Sequence, residues 1–360
     1  MLHAMIMAGG GGTRFWPRSR SAKPKQFLTF SGDRTLLQGT FDRIEAQIPP
    51  ERTWVITGGA HRLQAIEQLP EVAAGRIVGE PMGRDTAACI GLGAALIAKE
   101  DPNAVMMVMP ADHVIEPVQE FRRATHAAEQ LAEAHPHALI TFGIPPTFPS
   151  TGYGYIHRGA DFDKRQQITA YKVKEFKEKP KFEQAEQYVA SGEYYWNSGI
   201  FVWKVGTIIS ELRTHKPKLM EAVDRIVAAW GTPAQDEIFR REYDAIEKIS
   251  IDFAVMERAR EVLVVQAPYQ WDDVGSWLAL ERRNPQDAEG NTVQARHLGI
   301  KTSHCVIVSD PEHLIATIGV SDLLIVQDGN ATLIARRSEE STVKDIVEAL
   351  KKMNEGKKYL

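Results

Sequence analysis

Short apolar runs alternate with amphipathic segments over the first 143 residues of the chain. The runs, such as Ala4 to Ala8 and Ala104 to Met109, are apolar on both faces, which is typical of a strand buried on two sides. The intervening segments, such as Leu36 to Ile44 and Phe121 to Ala134, place apolar residues at helical spacing. This alternation predicts an α/β fold with a parallel, doubly wound sheet covered by helices on both faces.

The middle of the chain has the residue alternation that is typical of antiparallel strands. It is seen at 152–156, 171–176 and 198–203, with helical segments between these strands and a further strand at Val262 to Gln266. We therefore expect the sheet to be mixed rather than wholly parallel.

From about residue 291 the pattern changes to short apolar segments separated by turns, followed by a helix at Val343 to Met353. The length of 360 residues agrees with about two domains. We expect a main domain at 1–288 and a small β-rich domain with a terminal helix at 289–360.

Four consecutive glycines, Gly9 to Gly12, follow the first apolar run, and Thr13 and Arg14 come next. Glycine adopts positive φ readily, and successive backbone N–H groups in such a turn form a concave surface that binds anions. The guanidinium of Arg14 can bind phosphate oxygens in pairs, and Lys25 supplies another cation. The stretch therefore predicts a triphosphate-binding loop at the carboxyl end of the first strand, although a flexible turn is the alternative for the glycines alone.

Two common phosphate-binding loops are excluded by the residues that follow. A P-loop requires lysine and a hydroxyl residue after its last glycine, whereas this chain has Arg14 and Phe15. A dinucleotide-binding loop opens directly into a helix, whereas Pro17 and a basic stretch follow here.

Composition and charge exclude several classes of protein. The net charge of -4 argues against a general nucleic-acid binder, which is usually basic. No apolar run is long enough to span a bilayer, and no secretory leader is recognisable, so we expect no membrane association. The two cysteines, Cys89 and Cys305, lack metal-site spacing and suit a reducing cytoplasm.

Two aspartates are candidates for a metal site. Asp112 lies just beyond a predicted buried strand, at the sheet edge where α/β proteins bind ligands, and Asp273 lies beside a Val274-Gly275 turn. Together they could hold Mg²⁺, which binds few protein oxygens plus substrate phosphates. An ordinary turn aspartate is the alternative for each, and His113 is expected to be a structural neighbour.

Three further stretches carry polar groups in unusual settings. Lys179 stands between a carboxylate and a proline, although a solvated charge run would look the same. Asn197 lies in an aromatic setting, where an amide can bind sugar hydroxyls as donor and acceptor. The stretch Glu80 to Thr86 follows a predicted strand and could face a nucleobase.

Together these residues resemble the sugar-1-phosphate nucleotidylyltransferases, and most specifically the mannose-1-phosphate guanylyltransferases among them. Gly9 to Arg14 with Pro24-Lys25 matches the general signature. The more specific matches are Phe15 to Pro17, Lys25-Gln26, Glu80-Pro81, Pro110 to His113, Phe176 to Pro180, Trp196 to Phe201 and Ser250 to Asp252. The resemblance implies a Rossmann-like catalytic domain, dependence on Mg²⁺, and a left-handed β-helix-like C-terminal domain that forms homodimers.

The resemblance also implies roles for individual residues. Arg14 and Lys25 would be catalytic, and Asp112 and Asp273 would hold the metal. The nucleotide would be bound by Ala8, Gly9, Gly10, Gly12, Thr13, Glu80, Asp85 and Thr86. The sugar phosphate would be bound by Tyr153, Gly154, Glu178, Lys179, Asn197 and Gly199. Asp85 is a departure, because the family usually has Asn at this position.

The implied reaction joins GTP and α-D-mannose 1-phosphate to give GDP-mannose and diphosphate, by in-line attack of the sugar phosphate on the α-phosphorus. A sugar phosphate is already an anionic nucleophile, so cations and positioning are the chemistry expected rather than a general base. Two alternatives stay open at this point. One is a nucleotidylyltransferase for dTTP or UTP with glucose 1-phosphate, and the other is a non-catalytic sensor of nucleotide sugars.

Overall fold

The computed structural model describes residues 1–30 and 32–360. The chain divides into two compact units, each assembled from separate stretches of sequence. Unit 1 comprises Met1–Gly9, Phe41–Ala111 and Ile115–Trp271, and unit 2 comprises Gly10–Thr40, Asp112–Val114 and Asp272–Leu360.

A nine-stranded mixed sheet forms the centre of unit 1. Its strands are β1 (Leu2–Ala8), β2 (Thr53–Gly58), β3 (Ile77–Glu80), β4 (Val105–Pro110), β6 (Leu139–Ile144), β7 (Gly154–Arg165), β8 (Ile168–Glu178), β9 (Tyr194–Lys204) and β10 (Val262–Gln266). They are ordered β3-β2-β1-β4-β9-β6-β10-β8-β7. Two short strands, β5 (Val114–Glu116) and β11 (Gln270–Asp272), pair separately.

Strand direction follows the two sequence patterns. The apolar strands β1 to β4 pair in parallel, because helical connections carry the chain back between them. Strand β9 is antiparallel to both β4 and β6, and β7 with β8 forms an antiparallel hairpin. The predicted mixed α/β sheet is therefore confirmed.

The helices are α1 (Leu36–Ile44), α2 (Arg62–Gln68), α3 (Asp85–Glu100), α4 (Val118–Ala134), α5 (Phe182–Ser191), α6 (Val205–His215), α7 (Pro217–Ala228), α8 (Gln235–Asp244), α9 (Ala279–Arg283) and α10 (Val343–Lys352). A π-helical turn covers Asp252–Met256. In residues 1–30 and 32–360, no helix has both the length and the apolar character needed to cross a membrane.

The sequence pattern did not predict α8. Its ten residues are mostly charged, so the helical period is carried by few apolar side chains, among them the buried Phe239 and Tyr243. Both side chains belong to the main apolar core of unit 1, together with strand residues such as Met106 and α3 residues such as Ile90. Tertiary packing therefore stabilises a helix that its own sequence signals weakly.

Unit 2 contains the C-terminal strands. They are β12 (Thr292–Gln294), β13 (Arg296–Ile300), β14 (Val306–Val308), β15 (Leu314–Ile318), β16 (Leu323–Asp328) and β17 (Ala331–Arg336). One sheet has the order β12-β14-β16-β17, and β13 pairs with β15 in another. The successive parallel pairings β12–β14–β16 and β13–β15 confirm the predicted β-rich, β-helix-like C-terminal part.

The apolar core of unit 2 joins these strands to the residues that follow the glycines. Phe15 and Trp16 belong to the same buried cluster as Val306, Leu324 and Val347. The aromatic residues beside the predicted phosphate loop are therefore buried within unit 2 itself.

Candidate active site

The glycine stretch forms the loop that leaves β1. Gly10 has φ 97° and Gly12 has φ 55°, conformations that side chains rarely adopt. A single 3-10 turn, Thr13–Phe15, follows Gly12 directly. A β-carbon on Gly12 would lie 2.6 Å from Lys25 Cβ and 2.9 Å from Lys25 N, so only glycine fits against the lysine backbone here.

Residues of this loop line a cavity of about 260 Å³ within unit 2. Its lining residues are Gly12, Thr13, Arg14, Phe15, Lys25, Asp112, His113, Asp273 and Gly275. We call this cavity the phosphate pocket. It brings together both predicted catalytic cations and both predicted metal-binding aspartates.

Lys25 lies at the centre of the phosphate pocket and is only 6% exposed. Its Nζ donates hydrogen bonds to Asp112 Oδ2 at 2.9 Å and to the backbone oxygen of Asp273 at 2.5 Å. The Phe15 ring lies beneath the ammonium, with 5.8 Å between Nζ and the ring centroid. These contacts fix the position of a flexible side chain, so little rotamer entropy would be lost when an anion binds.

The two aspartates differ in their surroundings. Burial alone would raise the pKa of Asp112, but the charge of Lys25, with that of His113, holds this pKa below its ordinary value. The Asp112 side chain remains 33% exposed, so its carboxylate is charged and accessible. Asp273 lies beside Gly275, where a β-carbon would come within 2.8 Å of Asp273 Oδ2. Gly275 also accepts a hydrogen bond from Arg14 Nη1 through its backbone oxygen, at 3.2 Å.

Two indoles and one guanidinium hold the chain beyond the loop in place within unit 2. Trp16 Nε1 donates to the backbone oxygen of Tyr359 at 2.8 Å, and Trp277 Nε1 donates to the backbone oxygen of Trp16 at 3.2 Å. Arg20 donates to the backbone oxygens of Pro17 and Asp328, each at 2.9 Å. The segment that follows the loop is thus hydrogen-bonded to the C-terminal part of the same unit.

The residues predicted to bind the nucleobase and ribose lie in unit 1. Glu80 ends β3 and is buried, and its Oε2 lies 4.0 Å from the position that a β-carbon on Gly9 would take. Asp85 begins α3 with φ 65°, and its Oδ1 accepts the Thr86 N–H at 2.8 Å. Thr86 Oγ1 accepts the Ile251 N–H at 2.8 Å. Residues 80–86 run from the end of β3 into the first turn of α3, and we call them the base loop after the ligand predicted for them.

Burial raises the pKa of Glu80 to about 7, and a hydrogen bond from Tyr243 opposes the rise. Tyr243 was absent from the sequence-based candidates because α8 was not predicted. Its only sequence signal was its spacing of four residues from Phe239.

The residues predicted to bind the sugar also lie in unit 1. Gly154 pairs with Glu178 across the β7–β8 hairpin, and a β-carbon on Gly154 would lie 2.5 Å from Glu178 Oε2 and 3.6 Å from Asn197 Cβ. Lys179 follows with φ 44°, and its Nζ is hydrogen-bonded to Glu178 Oε1. Gly154, Glu178, Lys179 and Asn197 therefore form one group, which we call the sugar group after the ligand predicted for it.

The amide of Asn197 is oriented by its neighbours. Its Oδ1 accepts the Gly199 N–H at 3.2 Å, and its Nδ2 donates to Asp252 Oδ1 at 2.9 Å. Burial and the nearby charge of Glu178 raise the pKa of Asp252 to about 6. Asp252 belongs to the stretch Ser250 to Asp252, to which the family resemblance assigned no role. In the structure it accepts a hydrogen bond from Asn197 of the sugar group.

Aromatic rings stand beside the same group. The Tyr153 ring makes edge contacts with Trp196 at 5.0 Å and Trp271 at 5.3 Å between centroids. Phe148 contacts Trp196 at 4.8 Å and is partly exposed. Tyr153 was among the sequence-based candidates, whereas Phe148 and Trp271 were not, because an isolated aromatic side chain does not by itself indicate a binding site.

The predicted residues therefore form three groups. Gly12, Thr13, Arg14, Lys25, Asp112 and Asp273 line the phosphate pocket of unit 2. Ala8 and Gly9 end the first segment of unit 1, which also contains the base loop and the sugar group. Gly10 belongs to unit 2 but does not line the phosphate pocket.

Two protein families match the chain. Residues 3–290 match the nucleotidyl transferase family, and residues 295–350 match the MannoseP isomerase/GMP-like beta-helix domain. The first match covers most of the chain, including all the groups described above.

Individual relatives are similar over nearly the whole chain. The mannose-1-phosphate guanylyltransferase of Escherichia coli K12 is 39% identical over 97% of this chain and 73% of the relative. That of Klebsiella pneumoniae is 40% identical over 100% of this chain and 76% of the relative. The crystal structure of a mannose-1-phosphate geranyltransferase from Thermus thermophilus has a TM-score of 0.85 and 36% identity, covering 97% of this chain and 99% of that one. The chain therefore belongs to the nucleotidyl transferase family, in the group of the mannose-1-phosphate guanylyltransferases.

Proposed function

We propose that this protein transfers a guanylyl group from GTP to α-D-mannose 1-phosphate, forming GDP-mannose and diphosphate. One observation carries the proposal: Arg14, Lys25, Asp112 and Asp273 line a single pocket next to a glycine loop. Relatives that match nearly the whole chain have the name of this activity. A pocket with two cations and two carboxylates suits phosphoryl chemistry, in which positioning and charge supply most of the catalysis.

In the proposed reaction, a phosphate oxygen of mannose 1-phosphate attacks the α-phosphorus of GTP. A new phosphorus–oxygen bond forms as the bond to the β-phosphate breaks, and the electron pair leaves with diphosphate. Arg14 and Lys25 stabilise the charge that grows on the leaving diphosphate. The backbone of Gly9, Gly10, Gly12 and Thr13, together with Ala8, holds the phosphates of the nucleotide.

The base loop binds guanine and ribose in this proposal. Guanine presents two neighbouring N–H donors, and a carboxylate is an acceptor only, so Glu80 and Asp85 suit this base. Thr86 has a hydroxyl that can donate to the nucleotide while its oxygen accepts the Ile251 N–H.

The sugar group binds mannose 1-phosphate. Tyr153, Gly154, Glu178, Asn197 and Gly199 contact the sugar, and Lys179 binds its phosphate. The fixed orientation of the Asn197 amide supports this assignment, because a pre-oriented amide presents its remaining hydrogen in one direction.

We also propose that the metal is Mg²⁺ and that Asp112 and Asp273 hold it. In the described residues, His, Cys, Asp and Glu side chains form no cluster of three or more suited to a metal. A charged, accessible Asp112 with one other carboxylate in the same pocket fits Mg²⁺, which binds through one or two carboxylates plus substrate phosphates. When bound, the ion would neutralise phosphate charge and align the nucleotide.

The metal assignment is tested with Asp112→Asn. We expect this variant to fold normally and to lose Mg²⁺-dependent turnover, because the amide keeps the shape of the side chain but removes its charge. Circular dichroism would check the fold, and titration of Mg²⁺ in a turnover assay would check the affinity. Undiminished activity at low Mg²⁺ would remove Asp112 from the metal site.

The reaction itself is tested by diphosphate release over a matrix of substrates. GTP, UTP, dTTP and ATP would each be combined with mannose 1-phosphate and with glucose 1-phosphate. We expect the highest kcat/KM for GTP with mannose 1-phosphate. A preference for UTP or dTTP with glucose 1-phosphate would contradict the proposal, and binding without release in every combination would identify a sensor.

We further propose that the protein is a homodimer formed through its C-terminal strands. In the parallel pair β13–β15, Ile300 is paired with Ile318, and side chains of paired residues point to the same face. Leu298, Ile300, Leu314 and Ile318 are each more than half exposed. A second copy of this chain would remove these apolar side chains from water.

Both cysteines are free and buried, which suits the reducing cytoplasm where this biosynthesis would take place.

A further inference from the structure

Helix α8 carries a buried tyrosine that meets the base loop. Tyr243 is fully buried, and its hydroxyl donates a hydrogen bond to Glu80 Oε1. The two residues are 163 positions apart in the sequence, and both belong to unit 1. Glu80 is buried as well, so the tyrosine hydroxyl takes the place of water as a donor to this carboxylate.

The backbone at the end of α8 also holds the base loop. Arg84 Nε donates to the Tyr243 backbone oxygen at 3.1 Å, and Arg84 Nη2 donates to Asp244 Oδ1 at 2.8 Å. Tyr243 thus contacts the loop at Glu80 through its side chain and at Arg84 through its backbone. A residue with two such contacts can fix where the Glu80 carboxylate points.

The charge of Glu80 depends on this contact. Burial is the main cause that raises the pKa of Glu80 to about 7, and the Tyr243 hydrogen bond opposes it. Burial also raises the pKa of the Cys89 thiol on α3, which faces the same carboxylate, so Cys89 brings no charge. Burial and the charge of Glu80 raise the pKa of Tyr243, and Arg84 opposes them only in part. The phenol therefore remains neutral and can donate its hydrogen bond.

We propose that Tyr243 is a positioning residue for nucleobase selection, which orients the Glu80 carboxylate and favours its ionised form, so that it accepts the N–H donors of guanine. This inference rests on the proposed function, since it assumes that Glu80 binds the base. Tyr243 engages Oε1 and leaves Oε2, on the side of Gly9, for the nucleotide. A protonated Glu80 would offer guanine a donor where an acceptor is required.

The inference is tested by GTP binding, measured by calorimetry on the full chain at pH 7 and pH 9. In Tyr243→Phe, we expect the Kd for GTP at pH 7 to rise about tenfold, because losing the hydrogen bond to Glu80 raises the pKa of this carboxyl further and leaves less of it ionised. At pH 9 we expect the Kd of the variant to approach that of the unaltered protein at the same pH, since Glu80 is ionised in both. The KM for mannose 1-phosphate should not change.

Tyr269→Phe is the matched control. Tyr269 is also buried, and its hydroxyl has no hydrogen-bond partner among residues 1–30 and 32–360. Its ring packs on Phe121 and Phe142, outside the base loop. Deleting this hydroxyl should leave the Kd for GTP unchanged at both pH values.

Glu80→Gln keeps the proposal falsifiable if Tyr243→Phe folds poorly. The amide cannot ionise, so we expect weaker GTP binding with no recovery at pH 9. Adding Tyr243→Phe to Glu80→Gln should weaken binding little further, since both changes act on the same contact. An additive effect of the two substitutions would overturn the inference, as would a Tyr243→Phe variant with unchanged affinity or with equal losses at pH 7 and pH 9.

Failure of the inference is distinguishable from failure of the proposed function. If the unaltered protein transfers guanylyl groups while Tyr243→Phe binds GTP normally, the inference alone fails. If the unaltered protein binds GTP in a Tyr243-dependent way but releases no diphosphate, the proposed reaction alone fails. If the unaltered protein does not bind GTP, both fail.

Discussion

Three residues in or directly beside the candidate groups have backbone conformations that residues other than glycine rarely adopt. Asp85, Lys179 and Val274 have φ values of 65°, 44° and 45°. Such conformations cost on the order of 1–3 kcal/mol each and persist only where the surroundings enforce them. Val274 is the strongest case, because it is β-branched and also buried, and it follows Asp273 directly. At Asp85 and Lys179 the unusual conformation is in a residue that we propose contacts a ligand, and at Val274 it lies beside one.

Lys25 is the residue on which the proposed chemistry depends most. We expect Lys25→Ala to lower kcat/KM by on the order of a hundredfold or more, because the pocket would lose a pre-positioned cation. Steady-state kinetics with GTP and mannose 1-phosphate would measure this. Lys23→Ala is the control, since Lys23 is close in the chain but exposed, and it should retain a near-normal rate. A near-normal rate in Lys25→Ala would reject its catalytic role.

Asp252 should make stability depend on pH. Its folded pKa of about 6 lies above the ordinary value of 3.8, so the folded state holds the proton more tightly. The protonated form favours folding at low pH, and this contribution is lost as pH rises through 6. The cost of the charge at pH 8 is at most about 3 kcal/mol.

We therefore expect Asp252→Asn to increase the free energy of unfolding at pH 8, with a smaller gain at pH 5. Urea unfolding at the two pH values would measure the difference. The Asn side chain keeps an oxygen that can accept from Asn197 Nδ2, so the hydrogen bond is preserved. A variant less stable than the parent at pH 8 would contradict this account of the carboxylate.

At the scale of elements, one segment links two of the candidate groups in unit 1. The segment runs from the end of α8 to the π-helical turn and makes three hydrogen bonds. Tyr243 donates to Glu80, the Ile251 N–H donates to Thr86, and Asp252 accepts from Asn197. The first two contacts hold the base loop, and the third orients the sugar group. Residues 245–250 form neither helix nor strand, yet this segment supports both groups.

The loop after β1 depends on a glycine for its packing. In Gly12→Ala the new methyl would overlap Lys25 Cβ and backbone N, so the loop or Lys25 must move. We expect kcat/KM to fall at least about tenfold, since small displacements of catalytic groups cost that much. Gly39→Ala is the control, because Gly39 lies in α1 with nothing within 4 Å of its β-carbon position. It should keep full activity and gain up to about 1 kcal/mol of stability. Full activity in Gly12→Ala would contradict the assigned role of the loop.

The sequence predicted elements well where one period dominates. The all-apolar strands β1 and β4 were recognised, and α5 and α6 begin and end where the helical spacing does. Helix α8 was missed because most of its residues are charged, so too few apolar side chains mark the helical spacing. Packing against the core of unit 1 stabilises it instead. Local patterns describe a segment well when its own residues determine its structure.

The candidate groups could be predicted only in part. The glycine loop and the aspartates were selected from motifs. The contact between Lys25 and Asp112 could not be predicted, because these residues are 87 positions apart and only the folded chain brings them together. Tyr243 could not be selected, because nothing near it in the chain indicates a binding site, and Phe148 gave no signal of its own although it lies close to Tyr153. The roles assigned to the individual residues stay predictions until the experiments above are done.

At the scale of the whole molecule, the compact units do not follow the linear order of the chain. Unit 2 combines residues 10–40 and 112–114 with residues 272–360. The family matches are contiguous and meet near residue 290. The division into domains at 1–288 and 289–360 stays a prediction, since family boundaries and compact units describe different properties.

The exposed strands β13 and β15 predict the assembly state. We expect the protein to be a dimer in solution and Ile318→Lys to be a monomer, because a charge within an apolar interface would be buried without a partner. Light scattering coupled to size-exclusion chromatography would measure the mass. Leu63→Lys is the control, since Leu63 is exposed in unit 1 and its charge should not change the mass. A monomeric parent protein would contradict the proposed dimer.

The bonds from Trp16 and Trp277 have a consequence for how the protein is made. The ribosome produces Phe15 and Trp16 first, but their packing partners in residues 272–360 emerge more than 230 residues later. At roughly 5–20 residues per second, the nascent aromatic segment waits on the order of ten seconds or longer for those partners. During biosynthesis these aromatic side chains cannot be fully buried until residues 272–360 have been made. The phosphate pocket, whose lining includes Asp273 and Gly275, is likewise complete only after translation has passed those residues.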